Sequence, residues 1–310
     1  MHDIIVVGGG PAGLTAAVYG LRNGRSVLVI EKNVFGGQIV NSPKVENIPG
    51  FAEISGDEFA DQFLEQAMGQ GADVTLEEVL DVRRAGAEGE SSAPADRFVV
   101  ETAEGSAYEG RSVILATGTT HRLLGLPGEE DLIGSGISFC AVCDGDFYAG
   151  GTVVMIGGGN SAFVEAVLLA DIVKKLIILQ DLPYFTADQK LQDQLFAHDN
   201  IEAHTGTSVL GYETRDGKVT GVVYRDESGE KTVSCDGVFL AVGLVPENGA
   251  YADLAALDER GYFDSDERCL TQTPGVFVAG DCRAKTLRQV TTACADGAQA
   301  AIAACDYLRG

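Results

Sequence analysis

Positive charge is scarce in this sequence. Its 310 residues include 22 lysines and arginines against 46 aspartates and glutamates, which gives a formal net charge of −24. A surface of this sign repels the phosphates of nucleic acids and of anionic membranes, so we expect neither as a partner. The arginines are also unevenly distributed, because none occurs between Arg122 and Arg215.

The sequence also lacks a long apolar run and a charged leader segment. Met1-His2-Asp3 is followed directly by the short apolar run 4–7, and no run is long enough to span a bilayer. The seven cysteines are an odd number and are scattered, which is typical of a protein that folds in a reducing compartment. We therefore expect a soluble, cytoplasmic protein.

Residue spacing typical of a metal site is missing as well. His121, His198 and His204 are not spaced as metal ligands, and we interpret them as surface or linker residues. Cys140 and Cys143 form a C-x-x-C pair, but the other five cysteines supply no second pair of the kind that zinc requires. No metal is expected.

The pair Cys140-Ala141-Val142-Cys143 indicates redox chemistry. Two thiols separated by two residues can close a small disulfide ring that is easily opened and remade. Asp144 follows directly and could exchange the proton that thiolate chemistry needs. Half a zinc site, or two buried free cysteines, would leave the same spacing.

The N-terminal residues have the pattern of a dinucleotide-binding unit. The apolar run 4–7 leads into Gly8-Gly9-Gly10-Pro11-Ala12-Gly13, a helix of small residues follows, and the next strand, 26–30, ends at Glu31. In this pattern Gly8 allows the tight turn, Gly10 lets the backbone approach a pyrophosphate, and Gly13 allows close helix–strand contact. Glu31, 23 positions after Gly8, would accept hydrogen bonds from a ribose.

The same unit recurs about 150 residues later. A strand at 151–156 leads into Gly157-Gly158-Gly159-Asn160-Ser161-Ala162, then into a helix to about residue 170 and a strand at 175–179. Gln180 lies 23 positions after Gly157, the offset that separates Glu31 from Gly8. The internal duplication predicts two nucleotide-binding domains.

The remaining patterns complete the predicted architecture. We expect an amphipathic helix at 55–70, short strands within 72–109 with a hairpin tip at 85–96, a last strand at 275–279 and a final helix at 290–308. The predicted fold class is α/β, with two Rossmann-like three-layer nucleotide-binding domains, of which the first is discontinuous. The predicted boundaries are 1–117 with 246–310 for the first domain and 118–245 for the second.

In the order of its motifs, nearly the whole chain resembles the low-molecular-weight thioredoxin reductases. The most specific parts are Cys140 to Gly145 between the two glycine turns, 45–50, Ala279-Gly280-Asp281 and Arg288-Gln289-Val290. The resemblance implies an FAD-dependent disulfide oxidoreductase that forms a homodimer, with a hinge between its domains. It also implies that Cys143 faces the flavin, that Cys140 attacks the disulfide of a thioredoxin-like protein or a small disulfide substrate, and that Asp144 relays the proton.

The resemblance further implies which residues hold the cofactors. For FAD in the first domain these are Gly8, Gly10, Pro11, Ala12, Gly13, Glu31, Lys32, Gly37, Gln38, Asn47, Val79, Ala116, Thr117, Gly118, Gly280, Asp281, Gln289 and Val290. For a nucleotide in the second domain they are Gly157, Gly159, Asn160, Ser161, Gln180 and Asp181.

The chain departs from the NADPH-using members after the strand at 175–179. Those members hold the 2′-phosphate with His-Arg-Arg and a further Arg, whereas this chain has Gln180-Asp181-Leu182-Pro183 and no nearby arginine. It therefore resembles the members that lack the basic cluster, the ferredoxin-dependent or diflavin-linked types, and we do not expect NADPH as its donor.

Several alternatives stay open. NADH could bind with Asp181 on its ribose hydroxyls, ferredoxin or another redox protein could reduce the FAD, or the second domain could hold a second FAD or another adenine nucleotide. Tyr184 and Phe185 could stack on such a ring or simply pack in their loop. A dithiol oxidase that uses oxygen and a non-catalytic nucleotide-binding module are the rival functions.

Overall fold

The computed structural model describes residues 1–41, 45, 47–85 and 97–310, without the side chains of residues 41, 142 and 143. The predicted hairpin tip at 85–96 lies outside the described residues except for Ala85, and so does position 46 of the 45–50 motif. By their internal contacts the described residues form two compact units, 1–120 with 245–310, and 121–244.

The elements of the N-terminal stretch are, in order, β1 (His2–Val7), α1 (Pro11–Arg22), β2 (Val27–Glu31), α2 (Gly56–Gly69), β3 (Asp73–Leu76), β4 (Val79–Arg84), β5 (Phe98–Thr102) and β6 (Ala107–Leu115). The central stretch contains β7 (Thr120–His121), β8 (Ile137–Ser138), α3 (Ala141–Asp144), β9 (Thr152–Ile156), α4 (Asn160–Ile172), β10 (Lys175–Leu179), α5 (Gln189–Leu195), β11 (Ile201–His204), β12 (Ser208–Arg215), β13 (Lys218–Asp226), β14 (Gly229–Ser234) and β15 (Gly237–Leu240). The C-terminal stretch contains β16 (Leu244–Val245), β17 (Val276–Val278) and α6 (Val290–Tyr307).

The unit formed by 1–120 and 245–310 is built on a sheet with the strand order β3-β2-β1-β6-β5-β4, and β17 also pairs with β6. β1, β2, β3, β6 and β17 run parallel, whereas β4 and β5 form an antiparallel extension. The long strand β6 serves both parts, because its first half pairs with β5 and its second half with β17.

The parallel strands of this sheet are buried on both faces. Along β1, Ile4 and Val6 pack with α1 and α6, and Ile5 and Val7 pack in the cluster on the opposite face. The period of two in a strand explains this division, and the apolar run follows from burial of both faces. Because all of these strands end at one edge, the segments that follow them are brought together there.

Helix ends in this unit are set by local chemistry. Pro11 occupies the first turn of α1, where a missing N–H costs nothing. The Ser55 hydroxyl accepts from Glu58 N and caps α2. The helices predicted at 55–70 and 290–308 are confirmed at 56–69 and 290–307, and the segment after β2 contains a 3₁₀ turn at 37–41.

The unit 121–244 repeats the parallel sheet and adds a meander. Its parallel strands follow the order β11-β10-β9-β15-β8, and β12, β13 and β14 form a separate antiparallel sheet. On β9, Val153 and Met155 pack with α4, whereas Val154 and Ile156 pack with residues of the meander. None of the described helices has both the length and the apolar content needed to cross a membrane.

Candidate active site

The first glycine turn holds two backbone segments in direct contact. Gly8 follows β1 with a φ of +107°, and a Cβ here would lie 2.2 Å from the carbonyl oxygen of Ala116. A Cβ at Gly13 would lie 1.9 Å from the carbonyl oxygen of Gly8, so α1 can approach the turn only with glycine at that position. Gly10 has no atom closer than 3.9 Å to its missing side chain. The backbone is therefore bare where a pyrophosphate would approach the N-terminus of α1.

Glu31 closes the turn from the end of β2. Its Oε2 accepts the Gly9 N–H at 2.7 Å and its Oε1 accepts the Asn33 N–H at 2.9 Å. Each carboxylate oxygen retains a further lone pair. Glu31 lines a cavity of about 280 Å³, and the residues assigned to the FAD site that also line it are Gly8, Lys32, Val79 and Thr117.

The segment after β2 returns to the glycine turn. Gly36 N–H donates to the Gly9 carbonyl at 2.8 Å, and a Cβ at Gly37 would come within 3.3 Å of Gly10 Cα. The Gln38 side chain donates to the Thr119 carbonyl at 3.4 Å. These contacts place Gly37 and Gln38 beside the turn.

Two distant motifs meet at the N-terminus of α6. Asn47 Nδ2 donates to Gln289 Oε1 at 2.9 Å, although 242 residues separate them. The Gln289 N–H donates to Thr292 Oγ at 3.1 Å, which caps the helix. Val290 packs against the small apolar cluster that contains Val45 and Ile48.

The turn after β17 places a partly buried carboxyl group in an incomplete environment. Asp281 Oδ1 is buried and has no hydrogen bond within the described part of the chain, although Lys285 Nζ lies 3.4 Å away. Burial raises the pKa of Asp281, and the positive charge of Lys285 opposes this effect. An orphaned buried oxygen is costly unless another group satisfies it.

Asp296 on α6 anchors this turn. Its carboxylate accepts two hydrogen bonds of 2.8 Å from Arg283, one of 3.0 Å from Lys285 and one of 3.1 Å from Gly280 N–H. Burial would raise the pKa of Asp296, but the bonds from Arg283 and Lys285 outweigh it and lower the pKa. The network fixes Gly280 and hence the neighbouring Asp281.

The second glycine turn repeats the close approach of the first. Gly157 has a φ of +129°, and its Cβ would lie 2.3 Å from the Ala241 carbonyl oxygen. A Cβ at Gly158 would lie 2.6 Å from Gln180 Cδ, so the side-chain amide of Gln180 packs across the glycine. Gln180 is buried, and its backbone carbonyl accepts from both Thr207 N and Thr207 Oγ.

The loop after β10 folds back onto this turn. Thr186 N–H and Ala187 N–H donate to the Gly158 carbonyl at 2.8 and 3.0 Å. Asn160 Nδ2 donates to Asp188 Oδ2 at 3.1 Å, and Asp188 N–H donates to Asn160 Oδ1 at 2.7 Å. The Asn160 amide is thus engaged with the loop, and a carboxylate lies beside the start of α4.

A cavity of about 760 Å³ opens at this turn, a size typical of a cofactor site. The residues assigned to the second nucleotide site that line it are Gly157, Gly159, Asn160, Ser161, Gln180 and Asp181. Among its described lining residues Arg122, in the segment after β7, is the sole lysine or arginine. No cation faces the cavity from the end of β10, where Gln180 and Asp181 stand.

Cys140 is disulfide-bonded and lies at the start of α3. Cys140 N–H donates to Ser138 Oγ at 3.1 Å, and the Ser138 hydroxyl donates to Asp144 Oδ2 at 2.6 Å. Asp144 is therefore tied to the first turn of the helix through Ser138. The side chain of Cys143 lies outside the described residues, whereas Cys235, Cys269, Cys282, Cys294 and Cys305 are free.

Two cavity residues near the disulfide were not predicted from the sequence. The Glu165 carboxylate on α4 accepts the Ala141 N–H at 3.3 Å, and burial raises its pKa to about 7, although the bond from Ala141 lowers it. A single acid within the otherwise apolar stretch of α4 was the available signal. His121 is the other, and its interpretation as a surface or linker residue is wrong in part. It belongs to the linking strand β7, but its ring stacks on Phe139 at 4.7 Å and lines the cavity.

The stacking role considered for Phe185 is also wrong. Its ring packs against Phe163 and Phe196, at centroid distances of 5.1 and 5.8 Å, as part of the core beneath α4. Tyr184 is exposed, and neither ring is among the described residues that line the cavity. Cys235 and Cys269 are buried.

Residues 2–297 match the family model described as pyridine nucleotide-disulphide oxidoreductase. The chain is 39% identical to a thioredoxin reductase of Listeria monocytogenes over 310 residues, which cover 99% of this chain and 94% of that protein. The chain belongs to the pyridine nucleotide-disulphide oxidoreductase family. Among solved structures, a thioredoxin reductase from Lactococcus lactis matches with a TM-score of 0.91 and 34% identity, covering 100% of this chain and 99% of that one. One from T. acidophilum matches with a TM-score of 0.88 and 36% identity, covering 100% and 99%.

These matches confirm the predicted α/β class with Rossmann-like sheets and identify an FAD-dependent disulfide oxidoreductase of the thioredoxin reductase type. The residues present fit FAD. The bare backbone at Gly10 and Gly37, the cavity beside Glu31 and the orphaned oxygen of Asp281 offer a pyrophosphate cradle, a nucleoside pocket and a hydroxyl acceptor. When bound, FAD supplies the electron transfer that reduces a disulfide.

The Asp296 anchor yields a test of this turn. In Asp296→Asn the neutral amide would leave Arg283 and Lys285 without their buried countercharge, and Asp281 would lose its support. We expect purified Asp296→Asn to retain less FAD per chain after gel filtration, measured by absorbance, and to unfold at a lower temperature. Asp306→Asn is the control, because Asp306 is on the same helix but exposed and paired only with Arg309 at the surface. Equal FAD content in both variants would contradict the anchoring role.

Proposed function

We propose that this protein passes electrons from reduced FAD through a Cys140–Cys143 disulfide to a thioredoxin-like protein, and that NADPH is not its donor. A ferredoxin or another redox protein is the donor we propose. The single observation that carries the proposal is the pair Gln180 and Asp181 at the end of β10, where a 2′-phosphate would require cations. Thioredoxin as acceptor is supported by the relatives that are named thioredoxin reductases.

Charge and geometry both oppose a 2′-phosphate at this edge of the cavity. Gln180 is buried against Gly158, and its Nε2 donates to the Tyr184 carbonyl at 3.4 Å, so one of its two amide hydrogens is already engaged. Asp181 carries a negative charge, and its Oδ1 accepts the Leu182 N–H. A phosphate is best held by the planar, multiply donating guanidinium of arginine. The described cavity lining provides that group only at Arg122, outside this loop.

The intact second glycine turn supports a second candidate donor, NADH. The cavity is large enough for a nucleotide, and Asp181 lines it on the strand end from which an acid normally meets ribose hydroxyls. A second FAD held permanently in the same cavity would account equally well for the turn. Both alternatives differ from the main proposal in what occupies the second unit rather than in the disulfide chemistry.

The residues around Cys140 support the proton handling that disulfide exchange requires. When a disulfide opens, one sulfur leaves as a thiolate and needs a proton or a positive potential. Asp144 is held toward the first turn of α3 by the Ser138 hydroxyl. We propose that this carboxyl group relays the proton. The homodimer and the cytoplasmic location stay predictions from the sequence.

An anaerobic titration tests the donor. We expect NADPH and NADH to leave the flavin absorbance of the wild-type protein unchanged over minutes and reduced ferredoxin or dithionite to bleach it fully. Rapid bleaching by NADPH would refute the interpretation of Gln180 and Asp181, and bleaching by NADH alone would establish the second candidate.

A matched pair of variants sharpens this titration. Asp181→Arg places a guanidinium at the cavity edge, and Asp199→Arg makes the same change of charge at an exposed position of the same unit. If charge at residue 181 excludes the phosphate, Asp181→Arg alone gains affinity for NADPH, measured by equilibrium dialysis. Equal affinities in both variants would count against a local effect.

The number of flavins per chain tests the diflavin alternative. We expect one FAD per chain after acid or heat extraction, because the first unit alone provides the orphaned acceptor at Asp281. A value near two would place a second FAD in the second unit and would explain the intact turn at Gly157.

Replacement of the disulfide-bonded cysteine tests the acceptor chemistry. Cys140→Ser should lose thioredoxin reduction to background while keeping its flavin spectrum, because the serine hydroxyl cannot form a disulfide. Cys294→Ser, which changes a free cysteine, is the control and should keep its activity. Residual activity in Cys140→Ser would contradict the assignment, and oxygen uptake driven by small dithiols would indicate the oxidase alternative instead.

A further inference from the structure

One acidic side chain connects the wall of the large cavity with the cysteine helix. Glu165 lies on α4, lines the cavity and accepts the Ala141 N–H at 3.3 Å. Ala141 directly follows Cys140 and is the first residue of α3. The carboxylate therefore contacts the backbone N–H of the residue that follows the disulfide-bonded Cys140.

The other polar groups of this helix turn have different partners. Cys140 N–H is bonded to Ser138, and Ser138 in turn to Asp144, so neither competes for Glu165. Ala141 itself is almost fully buried and packs with Ala166 and Leu169 of α4. The geometry between α3 and α4 is thus fixed by apolar packing, and the Glu165 contact adds charge to a position that is already held.

That charge matters to a thiol. In many redox cysteines the backbone N–H groups of the first helical turn supply the positive potential that stabilises the thiolate. At Ala141 this N–H faces a carboxylate, which cancels part of that potential when it is ionised. A negative charge near a thiolate disfavours it and raises the pKa of the thiol.

We propose that Glu165 is a positioning residue that sets the reactivity of Cys140 by holding a titratable negative charge against the Ala141 N–H. The proposal concerns the disulfide assigned above and does not depend on the electron donor. It is therefore tested without turnover, in protein that retains its FAD.

The ionisation of Glu165 gives the proposal a pH signature. Burial raises the pKa of Glu165 to about 7, so the group is neutral below that pH and charged above it. Its repulsion of the thiolate is thus absent at low pH and fully present at high pH. Other charges face the same region: Asp144 on α3, His121 and Arg122 after β7, and Asp181 after β10. Burial lowers the pKa of His121, which favours its neutral imidazole.

The experiment measures alkylation of Cys140 by iodoacetamide between pH 6 and 9. A Cys143→Ser background makes Cys140 a free thiol, and peptide mass spectrometry separates its alkylation from that of the other cysteines. Glu165→Gln keeps an oxygen acceptor for Ala141 and removes the charge. Asp171→Asn is the matched control, because Asp171 is the other acid of α4 and is exposed beside His198.

We expect Glu165→Gln and its parent to react at equal rates near pH 6. Near pH 8 the variant should react about three- to tenfold faster, since a shift of about half to one unit in the thiol pKa changes the thiolate fraction by that factor. Asp171→Asn should follow the parent at every pH. The difference in alkylation rate between Glu165→Gln and its parent should grow as the pH rises through 7. Loss of packing would not produce a difference that depends on pH in this way.

Two results would overturn the proposal. One is that the alkylation rate of Glu165→Gln depends on pH in the same way as the rates of the parent and of Asp171→Asn. The other is a difference that is constant with pH, because a constant factor reports altered access to the thiol and not a titrating charge. Failure of Cys140→Ser to abolish thioredoxin reduction would instead refute the disulfide assignment, so the two failures are distinguishable.

Discussion

Both glycine turns depend on a carbonyl oxygen that occupies the space of an absent side chain. At Gly8 it is the oxygen of Ala116, and at Gly157 it is the oxygen of Ala241, each within 2.3 Å of where a Cβ would stand. In both cases the glycine has a positive φ and the carbonyl belongs to the segment after a neighbouring strand. An alanine would be strained in its backbone and would clash with a peptide group that cannot move without displacing its strand. This contact brings the end of a strand close to the N-terminus of a helix, which is the arrangement that a nucleotide site needs.

The residue 23 positions beyond each turn shows how one scaffold acquires two different sites. Glu31 offers two charged oxygens, and both accept backbone N–H groups at 2.9 Å or less. Gln180 stands at the same offset but presents a neutral amide that packs over Gly158 and reaches the loop that follows. The fold tolerates both because the backbone contact at the turn, and not the side chain at the strand end, holds the unit together. Recognition of the nucleotide can therefore change while the architecture is retained.

Local periodicity accounts for what the sequence predicted. Apolar runs such as 4–7 and 175–179, glycines at turn positions and the recurrence of one unit were sufficient for β1, β2, β9, β10, β17, α4, α6 and the duplication, and their bounds agree within a few residues. The strands between residues 201 and 240 and helix α5 were not predicted. Contacts between distant segments had no such signal. The meeting of Asn47 with Gln289, the exchange between Asn160 and Asp188 and the reach of Glu165 to Ala141 arise from tertiary packing. Phe185 shows the same limit, because only the packed core reveals that its ring turns toward Phe163.

The buried and partly buried acids of this chain fall into two kinds, according to how fully hydrogen bonds and positive charges satisfy their oxygens. Asp296 receives hydrogen bonds from Arg283, Lys285 and a backbone amide, and this satisfied network stabilises a turn without remaining capacity for chemistry. Within the described residues, Asp281 keeps an oxygen without a hydrogen bond, and Glu165 accepts a single weak bond from Ala141 and has a raised pKa. A fold has no structural reason to retain an under-compensated acid, since an apolar residue of similar volume would cost less. The shortfall at Asp281 suits a cofactor hydroxyl, and that at Glu165 suits a proton or a neighbouring thiolate, because under-compensated acids are enriched at functional sites.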